Sequence, residues 1–162
     1  MKAGAEYLKA LPQVDGTKIG IYGGSYGGFL TAMALGRDSR LFAAGVDIHG
    51  VHDWTVDRTR GLMSPDRAER APDAEKALAL AWASSPNASV KTWTSPVLMI
   101  HADDDRNVRF NQSTDLFRRL ETKGVSVESL VIVDDTHHFM RHANWLTVDR
   151  AVGEFFVRKF KP

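Results

Sequence analysis

No cysteine occurs among the 162 residues, so disulfide bridges and thiolate nucleophiles are both excluded, while the redox compartment stays open. Excess charge is missing as well: 21 Lys and Arg stand against 20 Asp and Glu, a formal net charge of +1. So even a balance offers no footprint for nucleic acid or for an anionic membrane surface, and neither is expected as a partner. No apolar run approaches a membrane span. The opening MKAGAEYLKALPQ lacks the apolar core of a signal peptide, which makes cytoplasm the expected location. Internal repeats and low-complexity tracts are absent too. What is present, 43% hydrophobic and 25% charged, is the make-up of an ordinary globule, and the length suits a single domain over 1–162.

The stretch that organises the chain is Lys18–Thr31, KIGIYGGSYGGFLT. It reads as a short apolar strand, Lys18 to Tyr22, then a glycine-packed turn, then a helix beginning near Ser25. Gly23-Gly24-Ser25-Tyr26-Gly27 is a G-x-S-x-G match, the pattern of a nucleophile elbow, in which a sharp turn lifts the serine hydroxyl above the sheet edge. Glycines flank the serine because a Cβ there would collide with the adjoining strand or helix. The following helix aims its free amide hydrogens and positive dipole end at the place where an oxyanion would develop. A phosphate-binding loop is the competing interpretation. No Gly-Lys-Ser/Thr follows, and Gly24-x-x-Gly27 lacks the third glycine of a dinucleotide fingerprint, so that interpretation fails.

Elsewhere the chain alternates. Met1–Leu11 carries Met1, Ala5, Leu8 and Leu11 at helical spacing and stops at Pro12. Asp15-Gly16 turns into the first strand. Gly36 is a plausible terminator for the helix after Ser25. Phe42–Ile48 is a second buried strand, followed over His49–Met63 by a polar loop crossing the top of the sheet. Ser64–Asp73 is a charged, proline-punctuated surface connection, and Ala74–Ala83 reads as helix. Ser95–Ala102 is a third strand, entered by proline. The next helix turns Phe110, Ser113, Phe117 and Leu120 inward and is closed by Gly124. Val125–Val133 is a fourth strand, and Ala143–Phe160 a long last helix with Trp145, Val148, Val152, Phe155, Phe156 and Phe160 inward. Strands alternating with helices predict an α/β fold, with a parallel sheet covered on both faces and right-handed crossovers.

A serine hydroxyl needs a base to take its proton, and that base needs a third group to hold its tautomer. The chain order expected behind a nucleophile elbow is Ser, then Asp or Glu, then His, the last two at strand ends. The third strand ends in His101-Ala102-Asp103-Asp104-Asp105 and the fourth in Asp134-Asp135-Thr136-His137-His138. Position alone leaves the choice within each cluster open. The other histidines have blander readings. His138 and His142 are four apart but no third ligand at zinc spacing accompanies them, so no metal is expected. His49, His52 and His101 read as hydrogen-bonded loop or strand-end residues.

Taken together, GIYGGSYGGFLT, SPVLMIHADDDRNVRFNQS and VDDTHHFMRHANW resemble the catalytic domain of the prolyl oligopeptidase family of serine peptidases, nearest to its acylaminoacyl-peptidase-like and dipeptidyl-peptidase-like branches. The resemblance implies an α/β-hydrolase fold and a Ser-His-Asp site. The family's acid lies four residues after the His of H-G-x-x-D-x-x-V. Here His101, Asp105 and Val108 fit, with Ala102 in place of glycine, which selects Asp105 over Asp103 and Asp104. The family's base is matched by His137, with Asp135 before it and Phe139 after it; position 138 is His where glycine is usual. Ser25 is then the nucleophile, and the Tyr26 N–H one oxyanion donor. The resemblance also implies that Tyr26, Trp54, Asn107 and Val108 bind substrate, and it implies no cofactor.

A complete hydrolase sheet of this kind has about eight strands, with the elbow after the fifth. This sequence places its elbow strand at residue 18 and encodes about four strands, so the expected architecture is the second half of an α/β-hydrolase domain. In the resembled family the second oxyanion donor and a substrate-filtering β-propeller come from the preceding part. The expected function is a serine hydrolase of small esters or peptides, working through an acyl-enzyme. The rival is a catalytically silent fragment serving as an assembly or binding module. In either case Lys18–Tyr22 is expected to leave one side of the sheet unpaired, which points to a homo-oligomer formed through that edge or through the Met1–Leu11 helix.

Overall fold

The computed structural model describes residues 1–56 and 73–161. Four strands form one parallel sheet in the order β1 (Gly20–Gly24), β2 (Ala44–Ile48), β3 (Val97–Ala102) and β4 (Val127–Ile132). Strand order follows chain order, so each crossover must return over the sheet in the same sense. Among the described residues the helices are α1 (Lys2–Lys9), α2 (Tyr26–Arg37), α3 (Ala74–Ala83), α4 (Asn111–Lys123) and α5 (His142–Phe160), with short 3-10 helices at Ser39–Leu41 and Pro86–Thr92. This is the parallel α/β arrangement that the strand–helix alternation predicts.

Strand alternation divides the interior into two layers. On one face Val97 and Met99 of β3 pack with Ala32 and Leu35 of α2, Leu116 and Leu120 of α4, Trp93, and Ala5 of α1. On the other, Ala44, Val46 and Ile48 of β2 and Leu98, Ile100 and Ala102 of β3 pack under Val148 and Phe155 of α5. Both central strands are buried along their whole length, as expected for parallel strands covered on both sides.

Several details depart from the sequence expectation. The first strand runs Gly20–Gly24 rather than Lys18–Tyr22, because Asp15 holds the preceding residues in a turn. Its carboxylate accepts the Thr17 N–H at 3.0 Å and its carbonyl accepts the Lys18 N–H at 2.9 Å. Gly36 does not end α2. It lies inside the helix, where a Cβ would come within 2.8 Å of the Ser89 Cβ, so its smallness serves packing on the Pro86–Thr92 segment. Helix α1 ends at Lys9 and buries only Ala5, with Leu8 exposed. Leu116, not Phe117, is the fully buried residue in the middle of α4, and Trp145 of α5 is 42% exposed, set edge-on against Phe139 instead of facing the sheet. Gly124 closes α4 in a left-handed conformation as predicted. The connection expected over 64–73, Asp73 excepted, and Leu62 in the preceding loop lie outside the described residues.

Candidate active site

The carboxyl ends of all four strands converge on one place. Ser25 follows β1 directly and caps α2 with φ 57° and ψ −117°, a backbone conformation that costs a non-glycine residue on the order of 1–3 kcal/mol. Close packing of the elbow enforces it. A Cβ on Gly23 would meet the Gly27 carbonyl at 2.6 Å, and one on Gly28 would meet Asp47 Oδ1 at 2.5 Å and the Ile48 carbonyl at 2.7 Å. Gly27 itself has open space where its Cβ would lie, so the second glycine of the motif is not required for that reason; Gly28, one residue on, is.

Three side chains from three strand ends form a hydrogen-bonded chain. The Ser25 hydroxyl lies 2.9 Å from His137 Nε2, and His137 Nδ1–H donates to Asp105 Oδ2 at 2.6 Å. Asp105 is buried, which alone would raise its pKa. The N–H donors around it prevail and hold it well below the usual carboxylate range: His101, His137, and the backbone amides of Val108 and Asn107 at 2.9 and 2.8 Å. The structure thus separates the acidic residues that position alone could not. Asp103 is spent on the Asp134 amide at 2.8 Å, and Asp104 pairs with Arg106 on the surface. Asp135 accepts the amides of Thr136 and Met140 and the side chain of Asn144, pinning the loop that carries His137. His138 is exposed, its ring edge-on to that of His137 at 5.3 Å.

The expected substrate contacts fall around this chain, with differing exposure. Tyr26 opens α2, so its N–H has no partner four residues back in the helix, and its ring is 62% exposed. That ring packs on Phe29 at 5.2 Å, and Phe29 in turn meets Trp54 edge-on at 5.4 Å, making a short aromatic wall beside Ser25. Asn107 is exposed. Val108 is buried, and its backbone is engaged on both sides, the amide with Asp105 and the carbonyl with His101 Nε2–H at 2.9 Å.

Three histidine arrangements exceed what the sequence disclosed. His101, on β3, accepts a hydrogen bond from the Ser113 hydroxyl on Nδ1 at 2.7 Å and sets its Nε2–H 3.2 Å from Asp105 Oδ2. It therefore stands behind the acid. His49, just after β2, has φ 42° and is buried, with Nδ1 accepting the Ser25 N–H at 3.0 Å. Farther back, His52 and Asp47 form a fully buried pair at 2.5 Å, and His52 Nδ1 donates to the Gln112 carbonyl at 2.9 Å. Both ring nitrogens of His52 face acceptors, an arrangement that favours the imidazolium form. Burial opposes that charge, but the Asp47 carboxylate outweighs burial and holds the His52 pKa above its ordinary value. Gln112 ties the same loop down, accepting the His52 and Asp53 amides and donating to the Asp53 carbonyl.

Donor atoms of His49, Asp105 and His137 lie within 4.8 Å of one another, a grouping that local ligand spacing could not reveal. Each is already engaged. Asp105 and His137 share a proton, and His49 Nδ1 holds the Ser25 amide, which puts the His49 proton on Nε2. A metal ion there would have to displace those bonds. Among the described residues no helix is long and apolar enough to cross a membrane.

A four-stranded parallel sheet, a strained serine at a strand-to-helix elbow, and His and Asp at later strand ends define an α/β-hydrolase fold. The chain belongs to the prolyl oligopeptidase family, whose model matches residues 1–162. Dipeptidyl-peptidase 5 of Porphyromonas gingivalis is 30% identical over 159 residues, which is 95% of this chain and 23% of that protein. A probable dipeptidyl peptidase 4 of Aspergillus fumigatus is 33% identical over 140 residues, 85% of this chain and 18% of that protein. Among solved structures, Pyrococcus horikoshii acylaminoacyl peptidase superposes with a TM-score of 0.79 at 27% identity, covering 96% of this chain and 26% of that one. Porphyromonas gingivalis dipeptidyl peptidase 4 gives 0.81 at 25% identity, covering 96% and 22%. The chain thus spans about a quarter of the length of these relatives, or less.

Proposed function

We propose that the chain is a serine hydrolase cleaving acyl bonds, ester or peptide amide, through an acyl-enzyme. Ser25 attacks the acyl carbon as His137 Nε2 takes its proton. His137 then returns that proton to the leaving group, and the cycle repeats with water. Asp105 keeps the His137 proton on Nδ1 and stabilises the imidazolium that forms. The tetrahedral oxyanion is met by the Tyr26 N–H, and Tyr26, Trp54, Asn107 and Val108 lie along the substrate. No cofactor enters. The observation that carries this reading is the unbroken hydrogen-bonded chain from Ser25 Oγ through His137 to Asp105, with the serine on a strained elbow.

Membership of the prolyl oligopeptidase family favours peptides, and the named relatives are dipeptidyl and acylaminoacyl peptidases. Activated esters carry better leaving groups than amides and ask less of oxyanion stabilisation. Small esters are therefore the substrates to test first. Stoichiometric labelling by a fluorophosphonate probe, abolished in Ser25→Ala, together with p-nitrophenyl ester hydrolysis of graded acyl length and cleavage of a dipeptidyl amide, tests the reading. Absence of labelling on a folded chain would favour a silent assembly module instead.

That second reading has its own support in the free side of β1. Among the described residues the strand has one ladder partner, β2, and its Tyr22 is 66% exposed. We propose that this edge pairs with a second copy of the chain, whether or not the site is active.

A further inference from the structure

His49 is a buried imidazole at the site to which the proposed reaction assigns no task. It touches both the nucleophile and the base. Its Nδ1 accepts the Ser25 N–H at 3.0 Å, and its ring centroid lies 4.2 Å from that of His137, tilted by 52°. Phe139 closes the other side at 5.3 Å, and His101 stands 6.2 Å away. Its own amide is held by the Ile100 carbonyl at 2.7 Å, and φ is 42°, so the backbone is bent to deliver this ring to this place. An acceptor for a backbone N–H must present a lone pair, so the ring carries its proton on Nε2.

We propose that His49 is a positioning residue for the serine hydrolase site: a neutral imidazole that holds the Ser25 amide on one edge and seats the His137 ring on its face. This rests on the reading of Ser25 and His137 as nucleophile and base. The elbow serine gains a second acceptor beside the Ile48 carbonyl at 2.9 Å, which steadies its strained conformation. The base gains a wall that stops its ring from swinging off the line joining Ser25 to Asp105. A charged ring could do neither, since an imidazolium has no lone pair to offer and would repel the imidazolium that forms on His137. The surroundings keep it neutral. Burial first, then His137 and His101, push its pKa down to about 4, while Asp105 and Asp47 only partly oppose this.

Three substitutions separate its functions. His49→Asn keeps an acceptor near the Nδ1 position, His49→Phe keeps a ring without one, and His49→Ala removes both. For p-nitrophenyl ester hydrolysis, His49→Phe should lower kcat roughly three- to tenfold, the size of one neutral hydrogen bond, with KM nearly unchanged. His49→Ala should lose more, and His49→Asn should recover part of the His49→Ala loss. Equal kcat in the wild type and the Phe variant, an Asn variant no better than the Ala variant, or a loss confined to KM overturns the role.

An arm independent of turnover uses long-range proton–nitrogen spectra of the histidine-labelled protein. His49 should show a bare Nδ1 and a protonated Nε2 from pH 8 to about pH 5. The His137 Nδ1–H signal should shift in His49→Phe. A protonated Nδ1 on His49, or an unmoved His137 signal, refutes the inference even if the chain hydrolyses nothing. Failure of the wild type to hydrolyse or label, with these spectral results intact, sinks the serine hydrolase reading alone.

Discussion

Asp105→Asn probes the site most sharply, because the carboxylate faces N–H donors on both of its oxygens. Oδ1 accepts the Asn107 and Val108 amides, and Oδ2 accepts from His137 with His101 close by. An asparagine side chain has one oxygen and one NH₂ group, so one side must meet donor against donor. The backbone amides cannot change character, and leaving them unpaired would cost about 1–3 kcal/mol. His137 can change. The oxygen therefore stays on the backbone side, the NH₂ group donates to His137 Nδ1, and the His137 proton moves to Nε2, facing Ser25. The base then has no lone pair for the serine proton. Such a tautomer change costs about 10⁴ in turnover, or about 5 kcal/mol of transition-state stabilisation at about 1.4 kcal/mol per decade. Asp104→Asn removes only a surface pair with Arg106 and should stay within about twofold. The assay is p-nitrophenyl ester hydrolysis beside the rate of fluorophosphonate labelling. A pH series of Tm adds a second check. The folded pKa of Asp105 is lowered, so its contribution to stability is present above the unfolded value near 3.8 and disappears as pH falls through the folded one. Acid should therefore destabilise the wild type more steeply than Asp105→Asn. Activity within tenfold of the wild type, or a crippled Asp104→Asn, would refute the assignment.

Three further outcomes are expected. His137→Ala should remove nearly all activity, whereas exposed His138→Ala should keep most of it, read as kcat/KM for the ester; the reverse pattern would move the base to His138. The His52 pKa is raised, so the stability it contributes is whole below the unfolded value of 6.5 and is lost as pH rises through the folded one. Tm of the wild type should accordingly fall on alkalinisation more than that of His52→Gln, and parallel curves would contradict the buried ion pair. Light scattering over a dilution series should find a dimer that Tyr22→Lys, on the exposed face of β1, dissociates; a monomer at every concentration would remove the free edge as an interface.

How much of this was legible beforehand varies with how local the cause is. Strands at Phe42–Ile48 and Ser95–Ala102 showed as apolar runs because both faces of a central parallel strand are buried, and the structure trims each by two residues at its start. The first strand was displaced by two because Ile19 and Ile21 look like strand residues while the Asp15 turn that delays pairing depends on side-chain hydrogen bonds. Helix α1 misled for another reason. Its apolar spacing is real, yet only Ala5 meets the core. At the site, Ser25, Asp105 and His137 were readable from strand ends in the right order and from the family motif. The bonds of His49 to Ser25 and of His52 to Asp47 were not. His49 and Ser25 are 24 residues apart, and no periodicity links a residue after β2 to the amide of an elbow after β1.

The same distinction explains where the sheet stores strain and what holds it. Among the described residues the non-glycine positions with positive φ are Ser25, His49, Asp134 and Phe139, and all stand at or beyond strand ends around the site. Each would cost on the order of 1–3 kcal/mol unless its surroundings fixed it. In every case the residue's own amide is caught: Ser25 by Ile48 and His49, His49 by the Ile100 carbonyl, Asp134 by the Asp103 carboxylate at 2.8 Å, and Phe139 by the Thr136 carbonyl at 3.1 Å. Two of those acceptors are carbonyls of β2 and β3, the fully buried strands, so the rigid middle of the sheet anchors bends that the loops alone could not sustain. Asp103 fits the same scheme. Two residues before Asp105, it orients no imidazole and instead holds the bend that starts the His137 loop. A cluster of three aspartates thus divides into one that holds His137, one that holds the loop carrying His137, and one paired with Arg106 at the surface, and the division follows from which donor each can reach.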